Sequence, residues 1–171
     1  MSKYHFELEK WVWSTEDFDK MGWKGSSVLA MAFQANMCEL ALDINYICKA
    51  FNPEPPDKAF AVWSAPATLV FQTVTNLKVD FEYYSGMGTE GLEISGIERS
   101  APASERSSHS EGRHVWLISG YYGDIEFESS GFQQFIRSKP VLNCETALDL
   151  QTRGGYSFHR GRSATGVLPA N

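Results

Sequence analysis

The segment LKVDFEY, residues 77–83, is the clearest indication of the fold, because apolar and charged side chains alternate along its whole length. A second segment, DIEFE at residues 124–128, alternates in the same way. Successive side chains of a β-strand point to opposite faces, so each segment has an apolar face for a core and a charged face for solvent. Both segments are predicted to be half-buried strands.

The same period of two recurs along the chain and predicts a β-rich protein. Further strands are predicted at residues 4–8, 26–36, 37–47, 59–64, 68–74, 93–98 and 114–119, with Pro66 between two of them. Residues 37–50 also contain good helix formers, but the alternation favours a strand. Short helices are predicted after Ser14, as far as Lys20, and from Phe132 to Arg137. Strands in mostly consecutive order predict a mainly β fold, an antiparallel sheet curled into a barrel or sandwich with one or two short helices.

Length and composition predict one domain. The 171 residues are 43% hydrophobic, which is enough for a single core. Residues 1–150 are predicted to form the β-rich domain, and residues 151–171 a C-terminal tail rich in Gly, Arg and Ser. The net charge of −6 argues against a general nucleic-acid binder, because phosphate attraction needs a basic face.

The cysteines and the apolar segments bear on location. Three cysteines without CxxC spacing favour reduced thiols, and apolar surroundings predict that Cys38 and Cys48 are buried. The first residues contain no apolar signal-like stretch, and no segment approaches the length of a membrane span. A cytoplasmic protein that does not bind membranes is expected.

Two motifs that resemble catalytic signatures lack the context that their chemistry needs. Gly86–Gly91 matches GxGxxG, but a strand follows where dinucleotide binding requires a helix N-terminus. Gly161–Gly166 is one residue longer than the nucleophile elbow GxSxG and has no strand–helix frame. The four histidines have no partner at metal-ligand spacing. No catalytic, cofactor-binding or metal-binding residue is therefore predicted.

The two alternating segments supply a candidate partner-binding surface. Its residues are Asp80, Glu82, Tyr121, Tyr122, Asp124, Glu126 and Glu128. The carboxylates follow the charged faces of the two strands, and the tyrosines occupy the predicted hairpin between residues 119 and 124. Amphipathic tyrosines are common at interfaces. The alternatives are a solvated strand face and tyrosines buried with bonded hydroxyls. The five tryptophans are assigned to the core.

Four segments together resemble a group of small bacterial proteins, some of which look like immunity proteins of polymorphic toxin systems. The segments are WSTEDFDKMGW (13–23), LDINYI (42–47), APATLVF (65–71) and GFQQFIR (131–137), the last followed by Pro140-Val141-Leu142. The resemblance covers about residues 11–150. The group has His-Asp after the second tryptophan of the first segment, whereas this chain has Lys24-Gly25, so no role of that pair carries over.

The resemblance and the acidic surface together predict a non-enzymatic binding protein. The expected function is that of an immunity protein, which neutralises a cognate bacterial toxin domain by occluding it. A basic toxin such as a nuclease is one option, because opposite charge speeds association. The alternatives are a small-molecule-binding β-barrel and a hydrolase that uses paired carboxylates.

Overall fold

The computed structural model describes residues 5–52, 60–82, 92–101, 112–144 and 148–161, and these residues form a mainly β fold, as predicted. The strands are β1 (Val12–Ser14), β2 (Ser27–Gln34), β3 (Glu39–Phe51), β4 (Ala61–Gln72), β5 (Thr75–Phe81), β6 (Leu92–Ser100), β7 (His114–Gly120), β8 (Gly123–Ser129), β9 (Gly131–Ile136) and β10 (Val141–Asn143). A 3₁₀ helix covers Thr15–Lys20, and a helical turn, α1, covers Leu150–Arg153.

The strands form one antiparallel sheet that curls without closing into a barrel. Its order is β1-β9-β4-β3-β2-β6-β7-β8-β5, with β10 paired to β4. The connection between β2 and β6 is narrow, because only Ser27 and Val28 pair with Glu93 and Leu92. Two halves, one on either side of this connection, therefore face each other across the core.

A corner between the two halves positions β5 and β8. The chain passes from β4 to β5 through Thr73 and Val74, and from β8 to β9 through Ser130, so the pair β4–β9 continues as the pair β5–β8. The buried Ser129 hydroxyl donates to the Gln72 carbonyl at 2.7 Å and so ties the corner together. Gly131 has a φ of +154°, and a Cβ there would collide with Thr15.

The core lies between the two halves and is rich in aromatic rings. Phe71 contacts Trp116 and Phe127, with centroid separations of 5.2 and 4.7 Å, and Phe132 packs against Trp116 at 5.7 Å. Edge-to-face contacts of this kind suit the quadrupoles of the rings. Trp116 and Trp23 are buried, in agreement with the prediction. The other three tryptophans, Trp11, Trp13 and Trp63, are only half-buried.

Three local predictions are wrong, and tertiary pairing explains two of them. Residues 132–137 are not helical, because β9 alternates and pairs with both β4 and β1. Pro66 does not end a strand. It lies inside β4, and its carbonyl accepts a hydrogen bond from the Arg137 amide just beyond the end of β9. The N–H that proline lacks would therefore point into the gap between β9 and β10. Residues 5–8 form no strand.

Cys38 was predicted to be buried but is exposed. The tight turn between β2 and β3 holds it at a φ of +51°, outside the apolar strand face that suggested burial. Cys48 is half-buried, and burial raises the pKa of its thiol to about 12. The 3₁₀ helix begins after Ser14, as predicted, and the Asp17 carboxylate accepts a 3.0 Å hydrogen bond from the Ser14 amide.

Candidate functional site

Pairing of β5 with β8 places the predicted carboxylates on one surface. Asp80 lies directly opposite Asp124, and Lys78 lies opposite Glu126. Glu128 is the partner of Thr75 at the other end of the pair. The prediction that these two strands could share one acidic face therefore agrees with the observed register, and their partner-binding role stays a prediction.

The carboxylates differ in their local partners. Glu126 forms a 3.0 Å ion pair with Lys78, and Glu128 accepts a 2.9 Å hydrogen bond from the Asn76 amide. Asp80 and Asp124 have each other as cross-strand neighbours. Cβ atoms in such pairs are about 5 Å apart, a distance at which like charges repel. Within the described residues, no Lys, Arg or His lies within 4.0 Å of either carboxylate.

The hairpin between β7 and β8 brings the two tyrosines beside these carboxylates. The Glu82 amide donates to the Tyr122 carbonyl at 3.0 Å, which fixes the hairpin against the end of β5. Gly123 permits this approach, because it has a φ of +147° and a Cβ there would collide with the Asp80 carbonyl. Tyr121 is 67% exposed, and Tyr122 is half-buried.

These residues line an open cleft of about 430 Å³, which we call the acidic cleft. Its lining residues are Asp80, Glu82, Tyr121, Tyr122, Gly123 and Asp124. Glu126 and Glu128 line a neighbouring depression instead, together with Lys78 and Val115. The acidic cleft combines an exposed aromatic ring with carboxylates that form no ion pair within the described parts of the chain, and this combination suits a guanidinium or ammonium group.

Other sequence candidates are not assembled into a site. Within the described parts of the chain, no group of three His, Cys, Asp or Glu side chains is placed to hold a metal ion. Gly86–Gly91, His109 and residues 162–166 lie outside the described residues. His5 and His159 are exposed, whereas His114 is half-buried on β7. No helix in the described chain is both long and apolar enough to cross a membrane.

Sequence reasoning missed a buried charge cluster on the outer face of β3. Asp43 accepts hydrogen bonds from Arg137 Nη2 at 2.7 Å, from Arg153 Nη2 at 2.7 Å and Nη1 at 2.9 Å, and from the Ser157 amide at 2.8 Å. Asp43 and Arg153 side chains are 0% exposed, and Arg137 is 2% exposed. Burial alone would raise the pKa of Asp43, but hydrogen bonds from Arg153, the Ser157 amide and Arg137 hold it below the ordinary value.

This cluster attaches residues 148–161 to the sheet. Arg153 Nε also donates to the Asn45 amide oxygen at 3.0 Å, and the Thr68 hydroxyl donates to the His159 carbonyl at 2.8 Å. Asp149 caps α1, and Gly154, with a φ of +79°, ends it. The first part of the predicted tail is therefore packed on β3 and β4, while residues 162–171 lie outside the described residues. The boundary at residue 150 stays a prediction.

Comparison of the chain with protein-family models, curated proteins and solved structures gave no match. The resemblance to bacterial immunity proteins consequently stays a hypothesis. A proposal for the function must therefore rest on the residues of the acidic cleft.

Proposed function

We propose that this protein is a non-enzymatic binding protein, which uses the acidic cleft to hold a cationic surface of a protein partner. The observation that carries the proposal is the cross-strand pair of Asp80 and Asp124, two exposed carboxylates with no cation beside them in the described residues. A cationic group between them would relieve their repulsion and gain two charge-assisted hydrogen bonds.

The neighbouring residues support this function. Tyr121 offers an exposed ring next to the carboxylates, and aromatic rings are frequent at the energetic centres of interfaces. The net charge of −6 also attracts a basic partner over a longer range. Such steering raises the association rate and weakens with salt. Rapid capture of a basic partner is the expected result.

The finer proposal is that of an immunity protein, which neutralises a cognate toxin domain in the cytoplasm. It rests on the sequence resemblance and on the acidic cleft together. The alternative of a small-molecule-binding barrel gains no support from the core, where Phe71, Trp116, Phe127 and Phe132 pack against one another. The carboxylates are available for a partner instead.

A growth-rescue experiment tests this function. The gene immediately upstream of this one is expected to encode a large secreted protein with a C-terminal toxin domain. Expression of that domain should stop growth, and co-expression of the wild-type chain should restore it. The double variant D80K/D124K should fail to restore growth.

A matched control separates local from overall charge. E7K/E16K changes the net charge by the same amount at two exposed residues outside the acidic cleft. It should restore growth as the wild type does. Equal rescue by D80K/D124K, at equal protein levels, would contradict the proposed role of the acidic cleft.

A further inference from the structure

Among the strands that the structure describes, β5 has an open edge, and this edge lies next to the acidic cleft. In the described residues it pairs only with β8, and it is the last strand in the sheet order. The Glu82 amide bonds to the Tyr122 carbonyl, so Glu82 and its alternate residues Asp80 and Lys78 direct their backbone groups towards β8. The backbone N–H and C=O groups of Val79 and Phe81 consequently point away from β8, along the open edge.

The side chains along this edge are exposed as well. Val79 is 42% exposed and Phe81 is 40% exposed, although both belong to the apolar row of β5. Native sheets usually protect an edge with charges, prolines or a covering segment, because unpaired backbone groups recruit other strands. Lys78 is the single basic residue of β5, and it is already paired with Glu126.

We propose that an extended cationic segment of the protein partner binds along β5 as an additional antiparallel strand. This inference rests on the proposed function and specifies how the cationic partner is held. Backbone pairing with Val79 and Phe81 would provide affinity, and alternate side chains would provide specificity.

The register of β5 defines the chemistry of the bound segment. Side chains opposite Asp80 and Glu82 lie on the charged face and should be Lys or Arg. The side chain opposite Lys78 should be acidic or neutral. Side chains opposite Val79 and Phe81 should be apolar, because they extend the apolar row. From the residue opposite Glu82 to the residue opposite Lys78, the side chains of the bound segment should therefore be basic, apolar, basic, apolar and acidic.

A second copy of this chain is the competing occupant of the edge. Two copies that pair through β5 would each carry a net charge of −6, and their mutual repulsion opposes the contact. A cationic segment has the opposite electrostatic sign. Charge complementarity therefore favours the partner segment.

Three synthetic peptides test the proposal on the unmodified protein. The first is acetyl-Thr-Lys-Val-Lys-Val-Glu-Thr-amide, which follows the pattern above. The second carries N-methyl groups on both valines, which removes the two N–H donors to β5 and leaves every charge in place. The third has Glu in place of both lysines. Titration gives the affinities, and hydrogen exchange reports on the Val79 and Phe81 amides.

The proposal predicts that the first peptide binds about tenfold or more tightly than the N-methylated peptide, since two backbone hydrogen bonds are lost. It should also slow exchange of the Val79 and Phe81 amides. Equal binding of these two peptides, with unchanged exchange, would overturn strand addition. The proposed function would still hold after that result if D80K/D124K bound the first peptide more weakly than the wild type does.

Three other outcomes would overturn the proposal. Binding of the Glu peptide as tightly as the first peptide would overturn both strand addition by a cationic segment and the cationic function of the cleft. Failure of the first peptide to bind at about 1 mM would overturn strand addition. Sedimentation of the protein alone as a dimer, with β5 amides protected, would identify a second copy as the occupant and overturn the proposal.

Discussion

Replacement of Asp43 by Asn removes the only negative charge from the buried cluster while it preserves the shape of the side chain. Arg137 and Arg153 would then remain almost completely buried without a counter-charge. Removal of one partner from a buried ion pair costs about 3–5 kcal/mol. We expect D43N to lower the free energy of unfolding by this amount, and the melting temperature by roughly 6–20 °C.

The companion variant R153M should cost less. The wild-type cluster contains one acid and two bases, so R153M leaves Asp43 balanced by Arg137. The lost charge-assisted hydrogen bonds to Asp43 and the lost donor to Asn45 are partly offset, because Met, unlike a buried guanidinium, carries no charge to desolvate, so the expected net loss is about 2 kcal/mol. D43N should therefore lose more stability than R153M, because D43N leaves two buried positive charges without a counter-charge.

Urea unfolding at pH 7 measures both variants. D19N is the control, because Asp19 is 88% exposed and its nearest cation, Arg99, is 3.9 Å away. This control should stay within about 0.5 kcal/mol of the wild type. A D43N loss below about 1 kcal/mol, or a larger loss for R153M than for D43N, would show that Asp43 does not stabilise the fold as the counter-charge of the two arginines.

Three further outcomes are expected. The folded pKa of Asp43 is depressed, so the stabilisation by its carboxylate is complete above the unfolded value of about 3.9. This stabilisation is lost as the pH falls from there through the folded pKa. The free energies of unfolding of wild type and D43N should therefore begin to converge below about pH 4 in pH-dependent unfolding. A thiol reagent at pH 8 should label two exposed cysteines rapidly but Cys48 only on unfolding, as timed mass spectrometry would show. G123A should lower the free energy of unfolding by roughly 1–3 kcal/mol in urea. This loss should be larger than that of G112A, because Gly112 also has a positive φ but has open space around it.

The sequence predicted the parts of the fold whose signal is local. Alternation in residues 77–83 and 124–128 predicted β5, β8 and the acidic face, because the strand period and the charge pattern coincide there. The register that opposes Asp80 to Asp124 was not predictable from either segment alone. It depends on Gly123 and on the corner between the two halves of the sheet.

Features that depend on distant residues could not be predicted. Asp43 is 94 residues from Arg137 and 110 residues from Arg153, and neither distance leaves a local pattern. Arg153 also lies in a segment whose Gly, Arg and Ser content resembles a tail. A short helix is predicted for residues 132–137, between Gly131 and Pro140, but pairing on both sides makes residues 131–136 a strand.

Association kinetics provide the sharpest test of the proposal that Asp80 and Asp124 capture a cationic partner. The rates should be measured between the purified chain and the toxin domain that the proposed function expects the upstream gene to encode, at low and at physiological salt. We expect D80K/D124K to slow association about tenfold or more at low salt, and less at physiological salt, and to speed dissociation as well, because the charge-assisted hydrogen bonds to the partner are lost. E7K/E16K should associate nearly as fast as the wild type. Unchanged association rates for D80K/D124K at both salt concentrations, with an unchanged melting temperature, would show that Asp80 and Asp124 do not capture the partner.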